Sequence, residues 1–252
     1  MRISQNLLQD IVGELITLEK LPEQGWTSEV SRIVTKNGTY LIKSAFKEKY
    51  RDWLRAEAKV LMSLADGREI PVPAYKGFIE EDETSHLIMS FEKGITLTAA
   101  LREAMHLSDK ERLVRSFGCF IQKLHEQEPV SNREGDWLDT QLNKAQLYAE
   151  KGQSEGSLEL LEQLKSCNPQ VVKQTMIHGD YTTDNVLVID GEVQMFIDVA
   201  GMTVGDPRYD EALAIRKFRH HPELLAAFYK GYTRYRVSQE EIQYFEGLYE
   251  FF

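Results

Sequence analysis

The stretch from Ile177 to Ala214 holds the densest set of groups that could do chemistry. His178-Gly179-Asp180 is followed five residues on by Asn185, Asp198 closes an apolar run, and Gly205-Asp206-Pro207 leads to Asp210. Asn185–Asp190 and Val193–Asp198 are short apolar runs around Asp190-Gly191, a dipeptide that favours a two-residue hairpin turn. A tight hairpin brings the start of its first strand back beside the end of its second. Asn185 and Asp198 are therefore expected side by side, with Asp180 on the loop just before. Two oxygen ligands next to a third carboxylate suit Mg²⁺ and a hydroxyl nucleophile. Phosphoryl transfer uses such a set: a metal clamp on the phosphates and a group that orients the attacking oxygen.

Other elements must position these groups. Residues 5–13 pattern as a short amphipathic helix. Leu15–Leu21, Val30–Thr35 and Thr39–Ala45 read as strands, with Lys36-Asn37-Gly38 turning the second into the third. Lys43 shares a strand face with Leu41 and Ala45, so it needs a partner or a route by which its head reaches solvent. The following helix, Arg51–Ala65, places Glu57 on the face of Trp53 and Leu61. Glu57 either pairs with Lys43 or turns to solvent beside Arg55 or Lys59. Gly67 is placed to end this helix. A further hairpin, Ala74–Ile79 and Ser85–Phe91, runs into Met89-Ser90-Phe91-Glu92-Lys93-Gly94, which reads either as an interlobe hinge or as an ordinary strand end.

The remainder is mostly helical: Thr96–Met105, Ser108–Glu126 with Ser108 as cap, Lys144–Glu150, Ser154–Ser166, Arg208–Arg219, Glu223–Tyr235, and Ser238–Phe252 with a capping box to Glu241. Asn132–Asn143 reads as loop. Glu155, Glu159 and Glu162 read as a solvated helix face, or as a surface for a cation.

The ordered set H-G-D-x4-N, hairpin, I-D, G-D-P-x-x-D resembles the aminoglycoside phosphotransferases and their relatives, the kinases of choline, homoserine and methylthioribose. The resemblance spans nearly the whole chain and is specific in its second half. It implies an α+β, bilobal protein-kinase-like fold: a five-stranded antiparallel N-lobe with one helix at residues 1–91, and a mainly helical C-lobe at 92–252. It makes Asp180 the catalytic base or hydroxyl-orienting group, Asn185 and Asp198 the Mg²⁺ ligands, and Asp210 the brace of the catalytic loop. Lys43, paired with Glu57, would hold the α- and β-phosphates of ATP, with GTP as the other possible nucleotide. Met89, Ser90, Phe91 and Glu92 would border the base. His178 would be a packed residue shaping the loop.

There are departures from the family pattern. No G-x-G-x-x-G or Walker motif is present, so the 23–28 turn is either a plain hairpin turn or a phosphate loop using backbone amides and the Thr27 and Ser28 hydroxyls. Tyr181 stands where the family loop often has an apolar residue. In compact aminoglycoside 3′-phosphotransferases the end of the chain contacts the antibiotic. That pattern falls here on Glu250 and Phe252, whose other reading is a helix end packed by Phe251 and Phe252. Asp206 is a further candidate for an acceptor's ammonium groups.

At 252 residues, with 42% hydrophobic and 10% aromatic content, the chain can bury one large domain or two lobes. A formal charge of −10 argues against nucleic acid or an anionic membrane as partner and suits a cationic small molecule. No protein partner is implied. Cys119 and Cys167 match no metal or disulfide framework. The beginning of the sequence lacks a signal-peptide pattern, which points to the cytoplasm. The leading expectation is an aminoglycoside kinase. A kinase of a metabolic amine or alcohol comes second. A nucleotide-binding module, which would have lost Lys43, Asp180, Asn185 or Asp198, comes third.

Overall fold

The computed structural model describes residues 3–65, 70–127 and 136–252. The expected helix end at Gly67 and the first part of the expected loop, Asn132–Gly135, lie outside them. The chain divides into two compact units, one ending at Gly94 and regaining Met195–Gly201, the other made of Ile95–Gln194 and Met202–Phe252.

In the first unit, helix α1 (Gln5–Val12) precedes β1 (Leu15–Lys20), β2 (Glu29–Thr35) and β3 (Gly38–Ala45). Helix α2 (Glu48–Leu64), β4 (Tyr75–Glu80) and β5 (Ser85–Ser90) follow. The strands form one sheet in the order β1-β2-β3-β5-β4, antiparallel throughout. Thr35 pairs with Gly38, so Lys36 and Asn37 make the tight turn. Leu8 and Val12 of α1 pack with Ile33, Ile42, Ile79 and Ile88 on one face of the sheet. Lys43 is opposite Leu87 on the central pair β3–β5 and is not on an edge.

The second unit holds β6 (Ile95–Thr96), α3 (Leu97–Glu103), α4 (Leu107–His125), α5 (Trp137–Glu150) and α6 (Leu158–Ser166). They are followed by β7 (Thr175–Ile177), β8 (Val186–Ile189) and β9 (Glu192–Phe196), the last running on into the first unit. β10 (Thr203–Gly205), α7 (Pro207–Ile215), α8 (Pro222–Gly231) and α9 (Gln239–Tyr249) complete it. Helices α4 and α8 approach backbone to backbone. A Cβ at Gly118 would lie 2.4 Å from the Phe228 carbonyl oxygen, and one at Gly231 only 2.2 Å from that of Arg115. A separate core joins α5, α6, α7 and α9 through Trp137, Leu142, Leu161, Tyr209, Phe245 and Phe251.

Several boundaries differ from expectation. Trp137–Asn143 is helix and not loop, because the Asp136 carboxylate caps it by accepting from Leu138 N at 2.9 Å. Trp137, Leu138, Leu142 and Ala145 then fall on one buried face. Ser108 is no cap: α4 starts at Leu107, and the His106 carbonyl receives the first amides, from Asp109 and Lys110. α6 starts at Leu158, capped by Ser157, and leaves Ser154–Gly156 as a loop. α8 stops at Gly231, where Tyr232 turns extended and buries its ring. The capping box of Ser238 and Glu241 at α9 is present on both arms.

Glu211, on α7, ties α8 and the segment leading into α9 together. Its Oε1 accepts from Tyr229 OH and from Val237 N, each at 2.8 Å. Burial pushes the carboxyl from 4.5 up to about 7, against the pull of those two donors. A native value above the unfolded one means that the folded state binds more protons between those limits. The protonated-state stability is full below about 4.5 and is lost as pH rises through about 7. Glu211→Gln is expected to remove that loss and to stabilise the protein at pH 8 by on the order of 2–3 kcal/mol. Thermal melts at pH 5 and pH 8 check this, and parallel pH profiles for the two proteins would contradict it.

Candidate active site

In the first unit three charged side chains converge. Lys43 is only 6% exposed. Its Nζ donates to Glu57 Oε1 at 2.7 Å and Oε2 at 2.9 Å, and it also donates to Asp198. Burial by itself would lower the ammonium's pKa, but Asp198 and Glu57 outweigh it and hold the group above the ordinary lysine range. Burial, with Asp198 adding to it, pushes the Glu57 carboxyl up against the opposing pull of Lys43. Two carboxylates thus contact one ammonium. The side chain of Asp198 is 47% exposed. Its backbone is left-handed, with φ 57°, a conformation that non-glycine residues adopt at a cost of the kind found at functional sites. A half-exposed carboxylate at the rim of this charged cluster fits a hard cation such as Mg²⁺.

The β1–β2 loop has no glycine-rich motif. The Gln24 side chain organises it instead, donating to Leu21 O at 2.6 Å and Val30 O at 2.9 Å and accepting from Val30 N at 3.0 Å. Thr27 and Ser28 are half-buried, and Trp26 beside them is fully exposed. At the end of β5, Met89 is buried, and Ser90, Phe91 and Glu92 are half-buried. The Ser90 amide donates to Ala74 O at 2.9 Å and its hydroxyl to Glu92 Oε1 at 2.5 Å. Ser90 is therefore committed to the sheet, and the backbone donors of this segment that could meet a base narrow to Phe91 and Glu92.

In the second unit the 178–185 loop is built on Asp210, which is wholly buried. Asp210 Oδ2 accepts from His178 N at 2.6 Å, and Oδ1 accepts from Gly179 N at 2.8 Å. Gly179 has φ 80°, so the amides can turn toward one carboxylate without a Cβ penalty. His125 Nε2 lies 3.2 Å from Asp210 Oδ2, and its Nδ1 lies 3.0 Å from Tyr232 OH. With Nε2 donating to the carboxylate, Nδ1 accepts from the phenol. His178 is buried, and its Nδ1 accepts from Asp180 N at 3.3 Å, the role of a packed residue. Tyr181 meets the apolar requirement of its position. It is fully buried, stacks on Phe117 at 4.2 Å and donates its OH to Phe117 O at 2.8 Å.

This scaffold presents Asp180. Asn185 Nδ2 donates to Asp180 Oδ2 at 2.7 Å and to Asp180 O at 2.9 Å. With its nitrogen committed there, Asn185 presents Oδ1 as an oxygen donor. Tyr249 OH donates to Asp180 Oδ1 at 3.0 Å. The hairpin turn is as expected: Asp190 and Gly191 both have positive φ, 51° and 80°. Asp206 is placed differently from the expectation of an acceptor ligand. It caps α7 by accepting from Arg208 N, and both its oxygens accept from the Arg208 guanidinium, which also pairs with Glu241. Glu250 lies 3.4 Å from Arg216, and Phe252 packs edge-on to Tyr148 with Lys144 over its ring.

The family model described as "phosphotransferase enzyme family" matches residues 19–242. The chain belongs to the phosphotransferase enzyme family. An aminoglycoside 3′-phosphotransferase of Niallia circulans is 35% identical over 98 residues, which are 37% of this chain and 37% of that protein. The match thus spans little more than a third of that relative's length. The crystal structure of an aminoglycoside-3′-phosphotransferase of type VIII superposes with a TM-score of 0.77 at 23% identity, over 95% of this chain and 93% of that one. Choline kinase LicA from Streptococcus pneumoniae gives 0.68 at 18% identity, over 98% and 87%. A spectinomycin phosphotransferase solved with ADP and spectinomycin gives 0.63 at 16%, over 98% and 85%. These likenesses establish the bilobal α+β fold of aminoglycoside phosphotransferase-like proteins.

Asp180, Asn185, His178 and Asp210 lie in the H-G-D-x4-N and G-D-P-x-x-D patterns of the sequence. Sequence reasoning missed His125, Tyr232 and Tyr249. His125 ends an amphipathic helix on its buried side, and a buried histidine needs polar partners. That was the one available signal, and it did not say which partners.

Proposed function

We propose that this protein transfers the γ-phosphoryl group of ATP to a hydroxyl of a small, cationic molecule of the aminoglycoside type. The observation that carries the reading is Asp180, an oriented carboxylate on a loop whose amides are fixed by a buried aspartate. Asp180 receives the acceptor's hydroxyl proton or orients that hydroxyl for in-line attack. Lys43, kept charged and in place by Glu57, holds the non-reacting phosphates. Asn185 and Asp198 would hold Mg²⁺, which when bound offsets phosphate charge. The backbone of Phe91 and Glu92, with Met89 behind, receives the base, and Thr27 and Ser28 lie in the loop that covers the phosphates. Glu250 and Phe252 border the acceptor. The reading is supported by the nucleotides and acceptors named for the relatives, and by the net charge of −10. Use of ATP fits a cytoplasmic location. Among the described residues no helix is long and apolar enough to cross a membrane.

A second reading is a kinase of a smaller amino alcohol, such as choline. One observation favours it: Glu250 and Asp184 already have cationic partners, Arg216 at 3.4 Å and Lys217 at 2.5 Å. This leaves less negative charge for a polycation. ADP release from Mg·ATP with aminoglycosides, macrolides and amino alcohols separates the readings. Turnover with aminoglycosides is expected. Turnover confined to choline-like alcohols would move the assignment to metabolism, and tight Mg·ATP binding without turnover would make this a nucleotide-binding module.

A further inference from the structure

The two oxygens of Asp180 are held by donors of different origin. Asn185 belongs to the H-G-D-x4-N loop and takes Oδ2, whereas Tyr249 comes from the last turn of α9, 69 residues away in sequence, and takes Oδ1. We propose that Tyr249 is a positioning residue of the phosphotransferase site, its phenol fixing the rotation of the Asp180 carboxylate from the side opposite Asn185. The inference rests on the functional reading above and adds to it a residue outside the loop motif.

Three features make Tyr249 a fixed point. The Glu250 carbonyl accepts from Glu155 N at 3.1 Å and from Gly156 N at 2.9 Å, which pins the end of α9. Phe251 is wholly buried and lies so close to Gly156 that a Cβ there would be 2.6 Å from its ring. The Arg216 guanidinium sits 5.5 Å from the Tyr249 ring centroid and covers it. Burial, with the charge of Asp180 and the hydrogen bond to it adding to the effect, pushes the phenol's pKa well up, so it stays a neutral donor at any working pH.

A carboxylate held at one oxygen can still twist about its Cβ–Cγ bond, and a second donor fixes the plane. An attacking hydroxyl must meet one oxygen at hydrogen-bond distance and in line with the phosphorus. Displacements of about 1 Å at such a site cost up to about 10²-fold in rate. Tyr249 therefore acts on the chemical step through Asp180, and the acceptor hydroxyl shares Oδ1 with it by way of the oxygen's second lone pair.

The test is a double-mutant cycle of Tyr249→Phe and Asp180→Asn, following ADP release from Mg·ATP alone and with kanamycin. Tyr249→Phe is expected to lower kcat about tenfold in whichever reaction runs, with the KM for ATP unchanged and the thermal midpoint lowered by only about a few degrees. In the Asp180→Asn background the same change is expected to cost nothing further. An undiminished kcat in Tyr249→Phe, or an equal loss in both backgrounds, would overturn the proposal. Failure of the functional reading looks different: wild-type protein would release no ADP under either condition, and both proposals would fall together.

Discussion

Asp180→Ala is expected to lower kcat about 10³-fold, the span associated with a positioned general base, while the KM for ATP stays within about twofold. The expectation follows from where the carboxylate sits. The loop carrying it is held by Asp210 through the amides of His178 and Gly179, and these bonds do not involve the Asp180 side chain. Asn185 also keeps its bond to the Asp180 carbonyl oxygen, so its placement survives the truncation. What disappears is the group proposed to meet the acceptor hydroxyl. Steady-state ADP release at saturating acceptor measures this. Asp180→Asn, which preserves volume but turns one of the two accepting oxygens into a donor, should lose nearly as much. A large fall in ATP affinity with kcat preserved would make Asp180 part of the nucleotide site and contradict its role.

Lys43→Met is expected to affect both stability and nucleotide binding. In the native unit one ammonium serves two carboxylates, and the Lys43 and Glu57 side chains are only 8% and 7% exposed. Removing the cation leaves Glu57 buried beside Asp198 without the ammonium that both contact. Breaking a buried pair in this way costs about 3–5 kcal/mol. The half-exposed Asp198 is screened by water, which puts the value here nearer about 3 kcal/mol. Denaturant unfolding measures the stability loss, and calorimetric titration with Mg·ATP measures the binding loss. The double variant Lys43→Met, Glu57→Gln separates the two effects. It should recover most of the stability, because the stranded charge is gone, without recovering nucleotide affinity. Recovery of both would assign the pair to folding alone.

The sequence disclosed those parts of the molecule whose physics is local. Asp190-Gly191 between apolar runs specified its turn, and both residues adopt the positive φ that such a turn requires. Lys43 and Glu57, each a charge on an apolar face, were natural partners beside the alternative of reaching solvent, and their atoms lie 2.7 Å apart. The capping box at Ser238 announced α9. The same local logic misread Ser108, because the helix starts one residue earlier, with His106 as its N-cap. It also misread Trp137–Asn143, whose polar composition hid the cap at Asp136. Asp206 looked like a ligand because its partner, Arg208, could equally have faced solvent. The Asp210–His125–Tyr232 chain and the Tyr249–Asp180 bond stayed hidden for another reason. They join residues 85, 107 and 69 positions apart, and no periodicity encodes such meetings.

The central claim is that a hydroxyl of a small cationic molecule of the aminoglycoside type receives phosphate from ATP under the direction of Asp180. Mass spectrometry of kanamycin after incubation with the protein and Mg·ATP tests it most directly. The account predicts a product heavier by one phosphoryl group, formed in step with ADP and absent with Asp180→Ala. Recovery of unmodified kanamycin from a protein that binds Mg·ATP tightly would contradict it.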